Sequence, residues 1–186
     1  MILVIDNYDS FSYNLVDYLL QAGVSVKVYR NSESLAVIKK EKYQGVLLSP
    51  GPCAPQDSGN LMEVLDYYHS KLPVLGICLG HQAIGHYFGA QLEKASYPMH
   101  GKLSTVFLEK DKLFNQLPSS IQVTRYHSLL LTHLPNPLYC IAQTDKNEIM
   151  AIKHRVLPIY GIQFHPEAYL TQYGLDIIKN WVSLLS

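Results

Sequence analysis

Short apolar runs recur through the first half of the chain at Ile2–Ile5, Val24–Tyr29, Val46–Leu48 and Val74–Ile77. Between them, apolar positions fall at helical spacing, as in Leu15, Tyr18 and Leu19 and again in Leu61, Val64, Leu65 and Tyr68. Continuous Val, Ile and Leu without polar alternation predicts strands covered on both faces, and helical segments between such strands predict βαβ units on a parallel sheet. After Gly89 the pattern changes. Leu103–Leu108, Ile121–Thr124, Leu138–Ala142, Ile149–Ile152 and Pro158–Phe164 predict strands without long helices between them, hence antiparallel additions to the sheet. A last stripe, comprising Leu170, Tyr173, Ile177, Ile178, Trp181, Leu184 and Leu185, predicts a C-terminal helix. Neither linker nor repeat interrupts these patterns. Residues 1–186 therefore read as one α/β domain, with a mostly parallel central sheet flanked by helices and additional antiparallel strands.

Charge narrows the ligand. The 15 basic and 15 acidic side chains cancel, and charged residues make up 16% of the chain, so no field gathers nucleic acid or an anionic membrane. A chain of this size buries about 70% of its unfolded surface and needs no disulfide or metal to hold it. Three cysteines without a C-x-x-C spacing fit neither a disulfide framework nor a zinc site. The start, Met-Ile-Leu-Val-Ile-Asp, has no basic leader, and no later apolar run reaches the ~18 residues of a membrane span. A cytoplasmic protein is expected, with no metal or cofactor.

One of the cysteines is placed for chemistry. Gly76-Ile77-Cys78-Leu79-Gly80 joins the predicted strand Val74–Ile77 to a helix expected to begin near Gly80. In a Gly-x-nucleophile-x-Gly turn the sharp change of direction pushes the central side chain outward, and the glycines avoid a collision inside the turn. Amides at a helix start and a nearby imidazolium favour a thiolate. A buried structural cysteine beside a helix start would share the pattern. Cys140 lies among apolar strand neighbours and reads as core. Cys53, in a Pro-rich loop, reads as incidental.

A thiolate attacking a carbonyl needs a proton shuttle. Of the eight histidines, those at 69, 81, 86, 100, 133 and 154 lack a locally placed acid and read as surface or packing. His165 closes a predicted strand and is followed by Pro166 and Glu167. In extended chain residues i and i+2 point to one side, so Glu167 can orient the His165 ring. Cys78, His165 and Glu167 then form a triad with the logic of Ser-His-Asp, whereas a plain surface turn is the competing reading of His-Pro-Glu. The developing oxyanion needs donors. The Leu79 amide at the helix start is one. Gly51 is another, because it holds the only backbone N–H of Pro50-Gly51-Pro52, unless that segment is an ordinary strand-end loop.

The stretches "IDNYDSFSYNL", "SPGPCAP", "GICLGHQAIG", "MHGK", "TRYHSL", "EIMAIKH" and "GIQFHPE" together resemble the triad-type class I glutamine amidotransferases along nearly the full chain. The likeness is to the small subunits of anthranilate synthase and aminodeoxychorismate synthase, and leans towards the latter through "TRYHSL" and "EIMAIKH". It implies the flavodoxin-like class I amidotransferase fold, with Cys78 as nucleophile, His165 as acid and base, and Glu167 as its partner. It also implies that Gly51 and Leu79 supply donors, and that Gln82, Ser128 and Leu129 hold the amino-acid end of glutamine. His127 and Met99-His100-Gly101-Lys102 would shape the rim or meet a partner.

The implied reaction is hydrolysis of glutamine to glutamate, with ammonia delivered to the large subunit of a chorismate-using synthase. A free-standing cysteine amide or γ-glutamyl hydrolase of the same fold is the alternative, and a scaffold without activity is a third reading. Two residues depart from the family pattern. Ala168 stands where serine is usual after His-Pro-Glu, removing a hydroxyl expected near the final helix. Ser12 replaces a common threonine and is expected to be silent.

Overall fold

The computed structural model describes residues 1–95 and 97–185. Strands and helices alternate first: β1 (Ile2–Asp6), α1 (Ser12–Gln21), β2 (Val26–Arg30), α2 (Leu35–Ile38), β3 (Gly45–Leu48), α3 (Leu61–Tyr68), β4 (Val74–Ile77) and α4 (Leu79–Tyr87). Then come β5 (Gln91–Lys94), β6 (Lys102–Leu108), β7 (Ser120–Arg125), β8 (Leu129–Thr132), β9 (Leu138–Thr144), β10 (Ile149–His154), β11 (Ile159–Ile162) and α5 (Gly174–Ser183).

Nine strands form one sheet in the order β2-β1-β3-β4-β11-β10-β9-β6-β7. The half from β2 to β11 is parallel, and the other half is antiparallel. β5 and β8 pair separately as a two-stranded ribbon. The parallel half has the doubly wound 2-1-3-4-5 order, with β11 in the fifth place. That insertion brings the end of a late segment against the end of β4.

Alternation along β1 explains the layers. Ile2 and Val4 join one apolar cluster with Leu15 and Leu19 of α1 and Ile177, Ile178 and Trp181 of α5. Leu3 and Ile5 join the other, with Ile38 of α2, Leu61, Val64 and Leu65 of α3, and Leu79 and Ile84 of α4. A strand buried on both sides needs apolar residues at every position, which is why these runs lack polar alternation.

The structure corrects several sequence expectations. The final stripe does not begin a helix at Leu170: Leu170 and Tyr173 are 54% and 45% exposed, and Tyr173 is left-handed at φ 58°. A Cβ on Gly174 would lie 1.7 Å from the Pro166 carbonyl oxygen, so the chain folds tightly on itself before α5. Ala168 accordingly sits in a turn well ahead of α5, not at its cap, and Thr171 supplies the local hydroxyl by donating to the His165 carbonyl at 2.7 Å. Cys140 is half-buried on β9 rather than in the core, with its thiol donating to the Ala142 carbonyl. The short elements α2, β5 and β8 had no period strong enough to be read. Among the described residues no helix is long and apolar enough to cross a membrane, and no cluster of three or more His, Cys, Asp or Glu could hold a metal.

Candidate active site

Cys78 occupies the turn between β4 and α4 with φ 50° and ψ −98°. L residues rarely adopt positive φ, and at functional sites the neighbouring structure must enforce it. Here the enforcement is steric. A Cβ on Gly76 would lie 2.3 Å from the Gly80 carbonyl carbon, and one on Gly80 would lie 2.3 Å from the Leu48 carbonyl oxygen. Both glycines let α4 start directly over the sheet.

β11 runs parallel to β4 with Ile162 opposite Ile77, and the Cys78 amide donates to the Ile162 carbonyl at 2.7 Å. The chain beyond β11 remains pinned, because the Gln163 amide donates to Met150 and the His165 amide to Thr124. His165 therefore arrives beside Cys78 from the far end of the sequence. Its Nδ1 lies 2.6 Å from Glu167 Oε1, and both side chains are buried. Its Nε2 has no hydrogen-bond partner of good geometry among the described residues, yet the Cys78 sulfur is near enough to act on it. Burial alone would lower the pKa of His165; Cys78 and then Glu167 outweigh that and push it up to about 10. The ring edges of Phe11 and Tyr126 close around it, with centroids at 6.0 and 5.1 Å.

In front of the thiol is a pocket of about 150 Å³ bordered by Gly51, Cys78, Gln82, Ser128 and Leu129, together with Pro52, Cys53, Tyr126 and His127. Five of the eight sequence-predicted site residues thus meet at one cavity. Leu79 adjoins it from α4, whereas His165 and Glu167 are buried behind the sulfur. The amides of Gly51 and Leu79 donate to no acceptor among the described residues. Gly51 is also sterically required, since a Cβ there would come within 2.5 Å of the Asn7 Cβ. Its loop is anchored to the end of β1: the Asn7 amide donates to Ser49 Oγ at 2.9 Å, and Asn7 Nδ2 donates to the Ser49 carbonyl at 2.9 Å. Ser12, buried at the start of α1, donates to Asp6 Oδ1, a bond within reach of any hydroxyl at that position.

Sequence reasoning missed four contributors. Gln163 is fully buried, and its Nε2 is 3.7 Å from the Cys78 sulfur. The same i, i+2 rule that linked His165 to Glu167 would have placed Gln163 on their side of the chain. Phe11, Asn7 and Tyr126 carry no local signal of this kind. Cys53, read as incidental, borders the pocket and is left-handed at φ 69°. His81 is wholly buried in α4 and fills space left by Gly161, as the packing reading expects. Two larger depressions, of about 840 and 630 Å³, lie away from Cys78 and hold neither His165 nor Glu167.

His127 could compete for the role of base, but its bonding argues against it. Its Nε2 accepts from Arg125 and its Nδ1 reaches the Leu129 carbonyl, so neither nitrogen is free. Burial first, and then the Arg125 charge, hold it down to about 3. His165 is the histidine with an open nitrogen and a strengthened proton affinity. Gly101 and Met99 lock the same loop from behind, donating to the carbonyls of Arg125 and His127.

Comparison with known proteins agrees with this geometry. The family model described as glutamine amidotransferase class-I matches residues 3–184. The aminodeoxychorismate/anthranilate synthase component 2 of Bacillus subtilis (strain 168) is 42% identical, covering 98% of this chain and 95% of its own. The anthranilate synthase component 2 of Cyanophora paradoxa is 43% identical over all of both chains. The aminodeoxychorismate synthase component 2 of Escherichia coli (strain K12) is 42% identical over 98% of this chain and 99% of its own. Among solved structures, a putative GMP synthase subunit from Thermoplasma acidophilum superposes with a TM-score of 0.88 at 30% identity, covering 99% of this chain and 92% of the other. With the fold, the strained cysteine turn and the family match in agreement, the chain belongs to the class I glutamine amidotransferases.

Proposed function

We propose that this chain is a single glutamine amidotransferase domain that hydrolyses glutamine and passes the ammonia to a chorismate-using synthase, aminodeoxychorismate synthase or anthranilate synthase or both. The observation that carries the reading is the buried His165–Glu167 pair behind Cys78, whose thiol borders a pocket of about 150 Å³. In this reading Cys78 Sγ gives its proton to His165 Nε2 and attacks the side-chain amide carbon. The Gly51 and Leu79 amides hold the oxyanion, each such donor typically being worth about 2.7–4 kcal/mol. Once sulfur is bonded to the amide carbon in the tetrahedral adduct, the negative charge that held the imidazolium is gone. His165 then gives its proton to the amide nitrogen of that adduct, the C–N bond breaks to release ammonia and leave the thioester, and water deprotonated by the same base attacks the thioester to give glutamate and restore the thiol. Gln82, Ser128 and Leu129 hold the amino-acid end.

Ammonia released into bulk water would be protonated and lose its nucleophilicity, so a synthase docked over the pocket is part of the proposal. The names of the relatives, each a component 2, support that arrangement. The test is reconstitution of full-length chain with each candidate large subunit. Cys78→Ser is expected to abolish glutamine-dependent synthesis while ammonia-dependent synthesis by the partner persists. Loss of both activities would refute the division of labour, and glutaminase turnover unaffected by either synthase would favour a free-standing hydrolase.

A further inference from the structure

Arg125 closes β7 and is 1% exposed, an expensive place for a guanidinium unless its charge and donors are used. Its outer side is held by Glu148 Oε2, which accepts from Nη1 at 2.8 Å, and by Ser104 Oγ, which accepts from the same nitrogen at 3.2 Å, while Nη2 has no partner among the described residues. Its Nε–H points the other way and donates to His127 Nε2 at 3.0 Å. A guanidinium can only donate, so Nε2 must be the unprotonated nitrogen of a neutral ring. The His127 proton then sits on Nδ1 and is donated to the Leu129 carbonyl at 3.0 Å. That carbonyl also accepts from Gln82 Nε2 at 3.3 Å, and the same Gln82 nitrogen donates to Gln163 Oε1 at 3.2 Å. The chain of directed bonds ends where Gln163 Nε2 approaches the Cys78 sulfur.

We propose that Arg125, held by Glu148, is a positioning residue for glutamine binding: it fixes the tautomer of His127 and thereby the Leu129 carbonyl, Gln82 and the wall of the pocket. The inference rests on the reading of that pocket as a glutamine site. With the other tautomer, a lone pair on Nδ1 would oppose the lone pairs of the Leu129 carbonyl, and the segment carrying Ser128 and Leu129 would swing away. Arg125 touches neither Cys78 nor the reacting amide. Its loss therefore weakens substrate binding more than the chemical step.

The groups around the His127 ring are Arg125 from β7 with Glu148 behind it, His81 from α4, and His165 after β11. Burial is the first cause that holds the His127 ring neutral and the Arg125 charge the second, so without Arg125 its proton affinity rises while burial still holds it below the ordinary range. Full-length Arg125→Gln, assayed for glutamine hydrolysis with the synthase large subunit present, is expected to raise KM about tenfold, equivalent to ~1.4 kcal/mol. Its kcat should stay within about threefold. Glu148→Gln leaves the guanidinium in place but unanchored, and is expected to give a smaller KM increase in the same direction. It also serves if Arg125→Gln does not fold.

Imidazole ¹⁵N NMR of the unmutated chain supplies a readout independent of activity, with a protonated Nδ1 and bare Nε2 expected at His127. A protonated Nε2 there, or a fall in kcat at unchanged KM in both variants, would overturn the proposal. If instead the unmutated chain shows the expected tautomer but hydrolyses no glutamine with any synthase, the reading of the pocket fails and the clamp on the ring stands.

Discussion

Replacing Cys78 separates backbone strain from chemistry. The residue holds φ 50° and ψ −98°, a region that costs a residue with a Cβ about 1–3 kcal/mol. Alanine keeps the Cβ and so keeps that strain. Glycine removes it, at a cost of about 0.5–1 kcal/mol from the greater freedom of the unfolded chain. The difference between the two variants therefore favours glycine by roughly 1 kcal/mol, the reverse of the usual order at ordered positions. Because Cys78 is 7% exposed and both variants lose its sulfur, the lost packing largely cancels in the comparison. For a chain of this length ~1 kcal/mol moves Tm by about 2–4 °C. The assay is thermal and urea unfolding of full-length Cys78→Gly and Cys78→Ala side by side, with glutaminase absent from both. A glycine variant no more stable than the alanine variant would refute the claim that the turn stores strain.

Other outcomes follow from the same geometry. Gly51→Ala should destabilise by about 1–3 kcal/mol on urea unfolding, because its Cβ would press into Asn7, and should slow thioester formation by displacing a proposed oxyanion donor. Gly80→Ala meets the Leu48 backbone, so labelling of Cys78 by a glutamine-like electrophile is expected to fall with stability. The folded pKa of His165 lies above its ordinary value, near 10 against about 6.5. Its stabilising contribution is therefore complete below about pH 6.5 and is lost as pH rises through about 10. Urea midpoints measured from pH 6 to 10 should decline across that window, and Glu167→Gln should move the decline to lower pH; a Gln variant with an unshifted decline would show that Glu167 does not hold the charge.

The parallel half of the fold was legible because strands buried on both faces leave no choice of residue, and β1, β3 and β4 lie where their apolar runs predict. The cysteine turn was legible for a steric reason, since only glycine fits at 76 and 80. His165 and Glu167 could be paired because two residues of extended chain suffice. What could not be read was the neighbour of β4. No local pattern states that β11 enters the sheet there, and the meeting of Cys78 with His165 depends on that pairing. Phe11, Asn7 and Arg125 were equally hidden, because each reaches the site through tertiary contacts rather than a period or spacing. The C-terminal stripe misled through Leu170 and Tyr173, whose apolarity is displayed on the surface.

The placement of β11 also sets when this protein can first act. β4 and α4 emerge in synthesis well before the His165 segment, so in the proposed reading a growing chain first holds a sulfur with no base beside it. Closing the parallel half of the sheet is a long-range event, slow by nature, and it coincides with the arrival of the proposed proton shuttle. In the proposed reading, turnover of substrate thus reports that β11 has taken its place beside β4.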